Sequence, residues 1–343
     1  MANLAAIYNY LNTFQSLTRE QIITRKVIDT VFRSNKGFQY MRTKGMYDDV
    51  RGGAALTWMI NVGTSPNTTT FDGDDTLPIA SMNGNVLRAS VPWKRYTDAL
   101  SVPVTDIADN NGSDEAVANL LDVQLDVTKA SLIDKISYDW LANTPSLNPK
   151  GLDGLAASVD DGTVAPTYAG FSRAQLGAKW KANVNYSVAA GTSANFLANM
   201  HTLDLQASVD GQRPDFYFTN TLLFGSLIQS LFPQDSYLQP EMARAAGGND
   251  LIFNGNPVFL DQHVPTGVPT PGVAPGTGVN SGGFIYGLNS TYLRCVVNPD
   301  VNFALLDWAL GQNNLVLFTR ILWFANIVNL KPSAHWVMWA QGG

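Results

Sequence analysis

The chain has 343 residues, of which 45% are hydrophobic and only 15% charged, with a formal net charge of −6. A charged fraction below the roughly 25% usual in soluble domains leaves few charges to coat a monomer. The composition therefore favours a subunit covered in part by other subunits, since interface cores are poor in charge and rich in aromatics. An apolar-rich enzyme fits it equally well. The net negative charge argues against a protein whose main function is to bind nucleic acid.

Cysteine content and the chain start indicate where the protein folds. The single cysteine, Cys295, excludes a disulfide framework and a thiolate metal cluster, so a reducing cytoplasm is the expected compartment. The residues after Met1 lack the basic start and apolar run of a secretion signal. The longest apolar stretch, 315–330, is interrupted by Arg320 and is too short to cross a bilayer, which predicts buried sheet and no membrane partner.

The first fifty residues form a basic segment. We expect either a helix and loop packed on their own domain or an arm that reaches a neighbouring subunit or a nucleic acid. The basic side chains are Arg19, Arg25, Lys26, Arg33, Lys36, Arg42 and Lys44.

Two stretches that follow have the period-two alternation of half-buried strands, at 56–62 and 87–93. The segment between them is rich in Gly, Thr, Asn and Asp, as loops are. These parts predict a long hairpin in which Pro92 marks an edge strand. Because an isolated hairpin is marginal in water, its apolar stripe must pack on something outside itself.

A single long helix is predicted from Ser113, a suitable N-cap, to the Asn143-Thr144-Pro145 stop. Thirty residues at 1.5 Å each give about 45 Å. The apolar stripe at helical spacing consists of Leu121, Leu125, Leu132, Ile136 and Trp140. The face expected to stay in water carries Asp122, Asp126, Lys129 and Asp134.

The rest of the chain mixes helices and strands, which makes the fold class α+β. Helices are predicted from Ser193 and over 222–231. The Pro/Gly-rich segment 264–283 is expected to be an exposed loop. Strands are predicted at 215–219, 251–261, 284–289, 292–297 and 315–330.

Motifs for catalysis and cofactor binding are missing from the sequence. It contains no phosphate loop ending in Lys-Ser or Lys-Thr and no spaced zinc ligands. The three histidines, His201, His263 and His335, are expected to be structural or on the surface. The acidic stretch near residue 74 resembles a calcium loop faintly, but Asn83 replaces the final glutamate, so a solvated acidic tip is favoured. Carboxylate pairs for glycoside chemistry leave a β-rich carboxylate-dependent hydrolase as an alternative.

Short motifs in a fixed order carry a resemblance to a known family. Gly151-Leu152-Asp153-Gly154-Leu155 follows the long helix, and Thr167-Tyr-Ala-Gly-Phe-Ser-Arg173 and Trp180 come next. Residues 251–261 and 285–289 then form a strand, a Gly-x-Pro-Val turn and a further strand. This order resembles the major capsid proteins of tailed double-stranded-DNA phages. Ala169 departs from the pattern, where glycine is commoner, as does the Pro/Gly insertion before Ile285.

The resemblance implies a domain plan and a function. The protein would be a structural subunit that self-assembles into pentamers and hexamers of an icosahedral virion capsid around DNA, in the host cytoplasm, with no enzymatic activity and no cofactor. Its partners would be itself, a portal protein, scaffold or cement proteins and, weakly, DNA. An encapsulin-like compartment shell is the alternative within the fold. The implied plan is an N-terminal arm 1–39, an extended β-hairpin loop 40–105, a peripheral domain with its spine helix 106–145, an axial domain 146–300 and a shared C-terminal sheet 301–343.

The hairpin is the predicted contact with a neighbouring subunit. Its apolar stripe would supply most of the affinity, since burial contributes roughly 25 cal/mol per Å². Exposed ion pairs contribute only about 0–1 kcal/mol each, so they would set register. The predicted intersubunit contact residues are Leu87, Arg88, Val91, Trp93, Lys94 and Arg95, with Asp72, Asp74 and Asp75 at the tip.

Overall fold

The structure is a computed structural model. It describes residues 36–63, 68–75, 86–105, 114–188, 193–208, 211–235, 251–267, 282–311 and 315–341. The helices are α1 (Lys36–Thr43), α2 (Asp114–Ala142), α3 (Leu155–Ser158), α4 (Arg173–Leu176), α5 (Ser193–Gln206) and α6 (Thr221–Asp235), with 3₁₀ turns at Gly177–Trp180 and Pro332–Ala334. The strands are β1 (Tyr47–Asp49), β2 (Ala55–Asn61), β3 (Val86–Pro92), β4 (Lys94–Pro103), β5 (Thr167–Tyr168), β6 (Phe171–Ser172), β7 (Asn183–Val188), β8 (Phe216–Thr219), β9 (Leu251–Phe253), β10 (Asn256–Leu260), β11 (Gly282–Leu288), β12 (Leu293–Leu305), β13 (Ala309–Leu310), β14 (Val316–Asn329) and β15 (Trp336–Gln341).

A five-stranded sheet is built around β14, which pairs with β12 on one side and β4 on the other. The antiparallel β4–β14 register runs from Lys94 opposite Ala325 to Pro103 opposite Val316. Short β13 also pairs with β14, and β1 adds to β12 in parallel. The strands predicted at 292–297 and 315–330 are therefore confirmed as neighbours.

The predicted long helix is confirmed as α2, which lies on the β4 side of this sheet. Leu125, Leu132, Ile136 and Trp140 are buried there, as their helical spacing predicts. The predicted N-cap, Ser113, and the side chain of Leu121 lie outside the described residues. No helix in the described ranges is long and apolar enough to span a membrane.

A six-stranded sheet forms the second layer, in the order β7-β15-β11-β8-β10-β9. Alternate residues of β8 reach two different cores, because successive side chains of a strand point to opposite faces. Phe216 and Phe218 join the core under α2, whereas Tyr217 joins the core under α5 and α6. The sheet is covered on both faces. Trp140 connects the layers, since its ring lies edge-on to Phe218 at 5.0 Å between centroids.

The segment before the hairpin packs on its own subunit. Met41 and Met46 are fully buried, and the Tyr40 ring lies 4.8 Å from that of Phe216. A Cβ on Gly37 would lie 2.0 Å from the Trp140 ring, so the close approach of α1 requires glycine. From Lys36 onward, the domain-packing interpretation of the basic segment is therefore correct. The earlier part of the predicted arm lies outside the described residues.

Two expectations from the sequence are wrong in detail. Lys129 was expected to stay in water but is buried, because its ammonium group reaches back to Asp126 at 2.9 Å. The Pro/Gly loop was expected to include residues 282 and 283, which instead begin the central strand β11. A Cβ on Gly283 would lie 2.1 Å from the Asn220 amide, so this strand accepts glycine where a side chain would clash.

The close approach of the end of the long helix requires glycine at position 154. A Cβ there would lie 2.4 Å from the carbonyl oxygen of Asp139 and 2.8 Å from that of Asn143. These are backbone atoms, so relieving the overlap requires a shift of the chain. The second glycine of the Gly-Leu-Asp-Gly-Leu motif is therefore required by the close contact between the helix end and the turn after it.

We expect Gly154→Ala to lower the free energy of unfolding by roughly 1–3 kcal/mol, the usual cost of overpacking. Gly225→Ala is the matched control, because it lies inside α6 with open space around its Cβ position. That change should be neutral or stabilising by up to about 1 kcal/mol through helix propensity. Denaturant titration followed by circular dichroism measures both, and equal midpoints for the two variants would contradict the contact.

Candidate assembly surface

The predicted hairpin is confirmed as β2 paired with β3, from Ala55 opposite Pro92 to Asn61 opposite Val86. Its inward face packs on the same subunit. Leu56, Ile60, Ala89 and Val91 are buried in one cluster. The rest of that cluster is Tyr168, Ala169, Trp180, Val296 and Val328. The apolar stripe thus finds its packing surface within its own chain.

The outward face of the hairpin is exposed in the subunit. Met59 is 71% exposed and Val86 is 55% exposed. They lie on the same face, two residues apart in the register, since Met59 is opposite Arg88 and Val86 is opposite Asn61. Arg88 donates a 2.9 Å hydrogen bond across the strands to the Thr57 hydroxyl. This face combines exposed apolar groups with a fixed cation, a combination that suits a protein interface.

Several of the predicted contact residues lie inside the subunit. Val91 is covered by its own chain, so its assignment to a neighbour is corrected. Lys94 is also buried, and its ammonium group pairs with Asp153 at 3.1 Å. Leu87 and Trp93 are half-buried against the same cluster, and the Trp93 indole donates to the Gly53 carbonyl oxygen at 3.0 Å. The alternation of the strand determines which of these side chains share a face. It does not determine whether that face is covered by the same subunit or by a neighbour.

The remaining predicted contact residues are on the surface. Arg88 is exposed on the outward face, and Arg95 is exposed on β4 with its guanidinium 5.4 Å from the Phe324 ring centroid. The three acidic residues Asp72, Asp74 and Asp75 are exposed as well. The Asp75 carboxylate accepts the Asp72 N–H at 2.9 Å, which closes a small turn. Whether these residues contact a neighbour stays a prediction.

Two grooves flank the hairpin. One has a volume of about 800 Å³ and runs between Trp58, Ile60, Trp180 and Leu330. The other, of about 780 Å³, has Arg51, Arg88 and Arg294 in its lining. The first has no carboxylate in its lining, and the second has only Asp48. Within the described residues, neither groove offers the carboxylate pair that a glycoside hydrolase requires.

Buried carboxylates in the described ranges are occupied by structural partners. Asp160 accepts the N–H groups of Gly162, Val164 and Ala165 at 2.8–3.0 Å and the hydroxyl of Tyr186 at 2.7 Å. Asp204 accepts the Tyr217 hydroxyl at 3.0 Å. These bonds satisfy the carboxylates within the fold. The described residues also hold no group of three His, Cys, Asp or Glu side chains placed to bind a metal.

Arg173 secures the turn beneath the hairpin. It is fully buried and donates to the carbonyl oxygens of Ala157, Asp160, Ala165 and Trp180. The preceding turn, Tyr168-Ala169-Gly170-Phe171, closes β5 on β6 with φ of 51° at Ala169 and 86° at Gly170. The Ala169 carbonyl oxygen accepts the Ser90 N–H of β3 at 3.2 Å. The Tyr-Ala-Gly-Phe-Ser-Arg motif therefore supports the hairpin from below.

Each histidine occupies a structural position. His335 is buried, which lowers its pKa to about 3, and its Nδ1 accepts the Asn289 N–H at 3.1 Å. His201 is exposed, with Nδ1 3.3 Å from the Asn254 amide. His263 lies between two carboxylates, with Nδ1 2.9 Å from Asp261 and Nε2 2.8 Å from Asp134 on α2. It joins the long helix to the turn after β10.

The residues that were not singled out from the sequence are Met59 and Val86, the exposed apolar residues of the outward face. The sequence reasoning followed the more apolar face of the hairpin, which is the face that the subunit buries. The available signal was an apolar residue among the polar positions of an alternating strand: Met59 stands between Thr57 and Asn61. Single apolar residues of this kind are common on protein surfaces, so the signal is weak.

Comparisons with known proteins identify the fold. No protein-family model matches the sequence, and no curated protein does. Solved structures match along most of their length. The cyanophage A-1(L) capsid asymmetric unit is 15% identical with a TM-score of 0.55, over 87% of this chain and 92% of that chain. The capsid of Myoviridae phage XM1 is 10% identical with a TM-score of 0.54, over 87% and 90%.

A third match is the capsid of the native GTA particle, which is 8% identical with a TM-score of 0.53, over 88% of this chain and 90% of that chain. At these identities, what is shared is the fold. The chain has the α+β fold of phage capsid proteins. More specifically, it has the major capsid fold of tailed phages, as the resemblance of the motifs implied.

We expect stability to depend on the protonation of His263. Hydrogen bonds to Asp261 and, secondarily, to Asp134 raise its pKa from 6.5 to about 9, despite its partial burial. A raised pKa in the folded state means that the stabilisation is complete below pH 6.5 and is lost as the pH rises through about 9. The loss should be about 1–3 kcal/mol, because the exposed Asp134 is screened by water.

His263→Gln is the matched variant for this test, since glutamine keeps a donor but has no charge to lose. The free energy of unfolding should fall between pH 6.5 and 9 in the unmodified protein and stay flatter in the variant. Equal pH dependence in both proteins would show that His263 carries no such charge.

Proposed function

We propose that this protein is the subunit of an icosahedral phage capsid that self-assembles into pentamers and hexamers and encloses double-stranded DNA. The observation that carries the proposal is the fold match, which includes 92% of a cyanophage capsid chain and 87% of this one. The exposed outward face of the hairpin supplies a surface that a neighbouring subunit can cover.

The domain roles follow from the same proposal. The hairpin β2–β3 acts as the extended loop, α2 as the spine of the peripheral domain and the six-stranded sheet as the centre of the axial domain. The basic residues before α1 contact the DNA weakly and without sequence preference. A portal protein and scaffold or cement proteins complete the virion, which assembles in the host cytoplasm.

Apolar contact on the outward hairpin face drives assembly in this proposal, while Arg88 and the acidic tip set register. Burial contributes roughly 25 cal/mol per Å², whereas an exposed ion pair contributes about 0–1 kcal/mol. A neighbouring subunit therefore gains more from covering Met59 and Val86 than from any one charge pair. The low charge of the whole chain is consistent with a subunit that is largely enclosed by its neighbours.

Electron microscopy and nucleic-acid analysis of purified particles test the function. Closed shells that contain nuclease-resistant DNA are the expected result. Shells that contain a protein cargo and no DNA would favour the encapsulin-like compartment. A stable monomer at high concentration and physiological salt, measured by light scattering, would contradict both shell functions. It would favour the β-rich carboxylate-dependent hydrolase.

We expect Met59→Asp to reduce the yield of closed shells at least about tenfold, since burying one carboxylate at an interface costs more than about 1.4 kcal/mol. The subunit itself should keep its helix signal in circular dichroism, because Met59 is exposed. Met59→Leu is the matched control, because it keeps an apolar side chain at the same position of the strand and should assemble normally. Normal assembly of the Met59 variant would remove the outward face from the interface.

A further inference from the structure

Strand β2 of the hairpin has an open edge. Within the described residues, β2 pairs with β3 alone. Its sequence, Ala-Leu-Thr-Trp-Met-Ile-Asn, contains no charge and no proline, and its register contains no bulge, although edge strands are usually protected by these devices. The edge of β3 differs, because the Ser90 N–H donates to the Ala169 carbonyl oxygen at 3.2 Å. Every second residue of β2 therefore directs its N–H and C=O groups away from the hairpin, where another strand can pair with them.

The two grooves beside the hairpin follow β2. The groove of about 780 Å³ is lined by residues 55–58 of this strand, and the groove of about 800 Å³ by residues 58–62. From β3, only Arg88 contributes to either lining. Because both grooves include Trp58 and Leu330, they form one trough, called the β2 trough below. It follows the whole strand, which is about 20 Å long at 3.3 Å per residue.

The β2 trough is cationic, although the whole chain has a net charge of −6. Arg51 lies 3.5 Å from Asp300, but both side chains are mostly exposed, so this ion pair contributes little. The arginines line the groove at the start of β2 and the lysines line the groove at its end. An occupant should therefore combine strand-forming residues with carboxylates. The charged lining residues are Arg51, Arg88, Arg294, Lys179 and Lys331, against the single carboxylate of Asp48.

The same chain carries a segment with this chemistry at the hairpin tip. Residues 68–75, Thr-Thr-Thr-Phe-Asp-Gly-Asp-Asp, are all exposed. Threonine and phenylalanine favour strands, yet residues 68–71 belong to no strand in the described part of the subunit. Phe71 is 67% exposed. Three carboxylates follow it in a turn, which is closed by the Asp75 N–H donating to the Asp72 carbonyl oxygen at 3.0 Å.

We propose that residues 68–75 of a second copy of this chain occupy the β2 trough, an inference that rests on the proposed capsid function. Residues 68–71 add to β2 as an antiparallel strand, because this direction brings the carboxylates after Phe71 to the arginines at the start of β2. Two β2 strands do not pair with each other, since their cationic linings repel. A tip that enters the trough of the next subunit is a head-to-tail contact, which closes into rings such as pentamers and hexamers.

Hydrogen exchange of the full-length protein, followed by mass spectrometry, is the primary test. Peptides that include residues 55–62 should exchange at least about tenfold more slowly in shells than in unassembled subunits, because the edge N–H groups of β2 become hydrogen-bonded. Shells that form without this protection would overturn the inference and leave the capsid function standing. A protein that stays monomeric would overturn both. Shells emptied of DNA should keep the protection, and its loss would assign the trough to nucleic acid instead.

A charge swap identifies the tip as the occupant. The tip variant Asp72→Lys/Asp74→Lys and the trough variant Arg51→Glu/Arg88→Glu should each lower the yield of shells at least about threefold, and the chain with all four changes should return to within about twofold of the wild type. A folding defect in either variant cannot produce this rescue. Asp72→Glu/Asp74→Glu is the matched control, because it keeps the charges and should assemble normally. A combined variant no better than the two separate ones, or full β2 protection in shells of the tip variant, would overturn the proposal.

Discussion

The pairing of β4 with β14 is the interaction on which the rest of the subunit depends. It extends along all ten residues of β4 and makes β14 a central strand. It places Tyr96 against Trp323, with ring centroids 5.7 Å apart, and so forms part of the surface on which α2 packs. It also determines where the hairpin leaves the sheet, because β3 ends at Pro92 and β4 begins two residues later.

Aromatic residues then connect the two sheets through the long helix. Trp140 is fully buried and contacts Gly37, Phe218 and the core under α2. An aromatic ring of this size buries 150–250 Å², so one position joins the N-terminal helix, the long helix and the six-stranded sheet. The N-terminal helix, the long helix and both sheets therefore share one hydrophobic core around α2.

The sequence predicted the elements well because their periodicities are strong. The alternation at 56–62 and 87–93 and the helical stripe ending at Trp140 are local patterns, and the structure confirms them. The sequence could not predict whether the hairpin's apolar face is covered by its own subunit or by a neighbour. That depends on long-range packing, such as that of Val91 with Tyr168 and Trp180. The exposure of Lys129 and Lys94 was misjudged for a related reason. A long aliphatic stem can be buried wherever its ammonium group finds a carboxylate.

The inward packing of the hairpin has a consequence for the thermodynamics of association. A loop that swings freely in the monomer must surrender its conformational freedom when a second subunit binds, and this entropy loss weakens association. Here Leu56, Ile60, Ala89 and Val91 hold the hairpin against Trp180 and the turn at Ala169 before any partner arrives. The entropy is lost when the subunit folds. In the proposed capsid, each contact on the outward face would then contribute more of its free energy to the association of subunits.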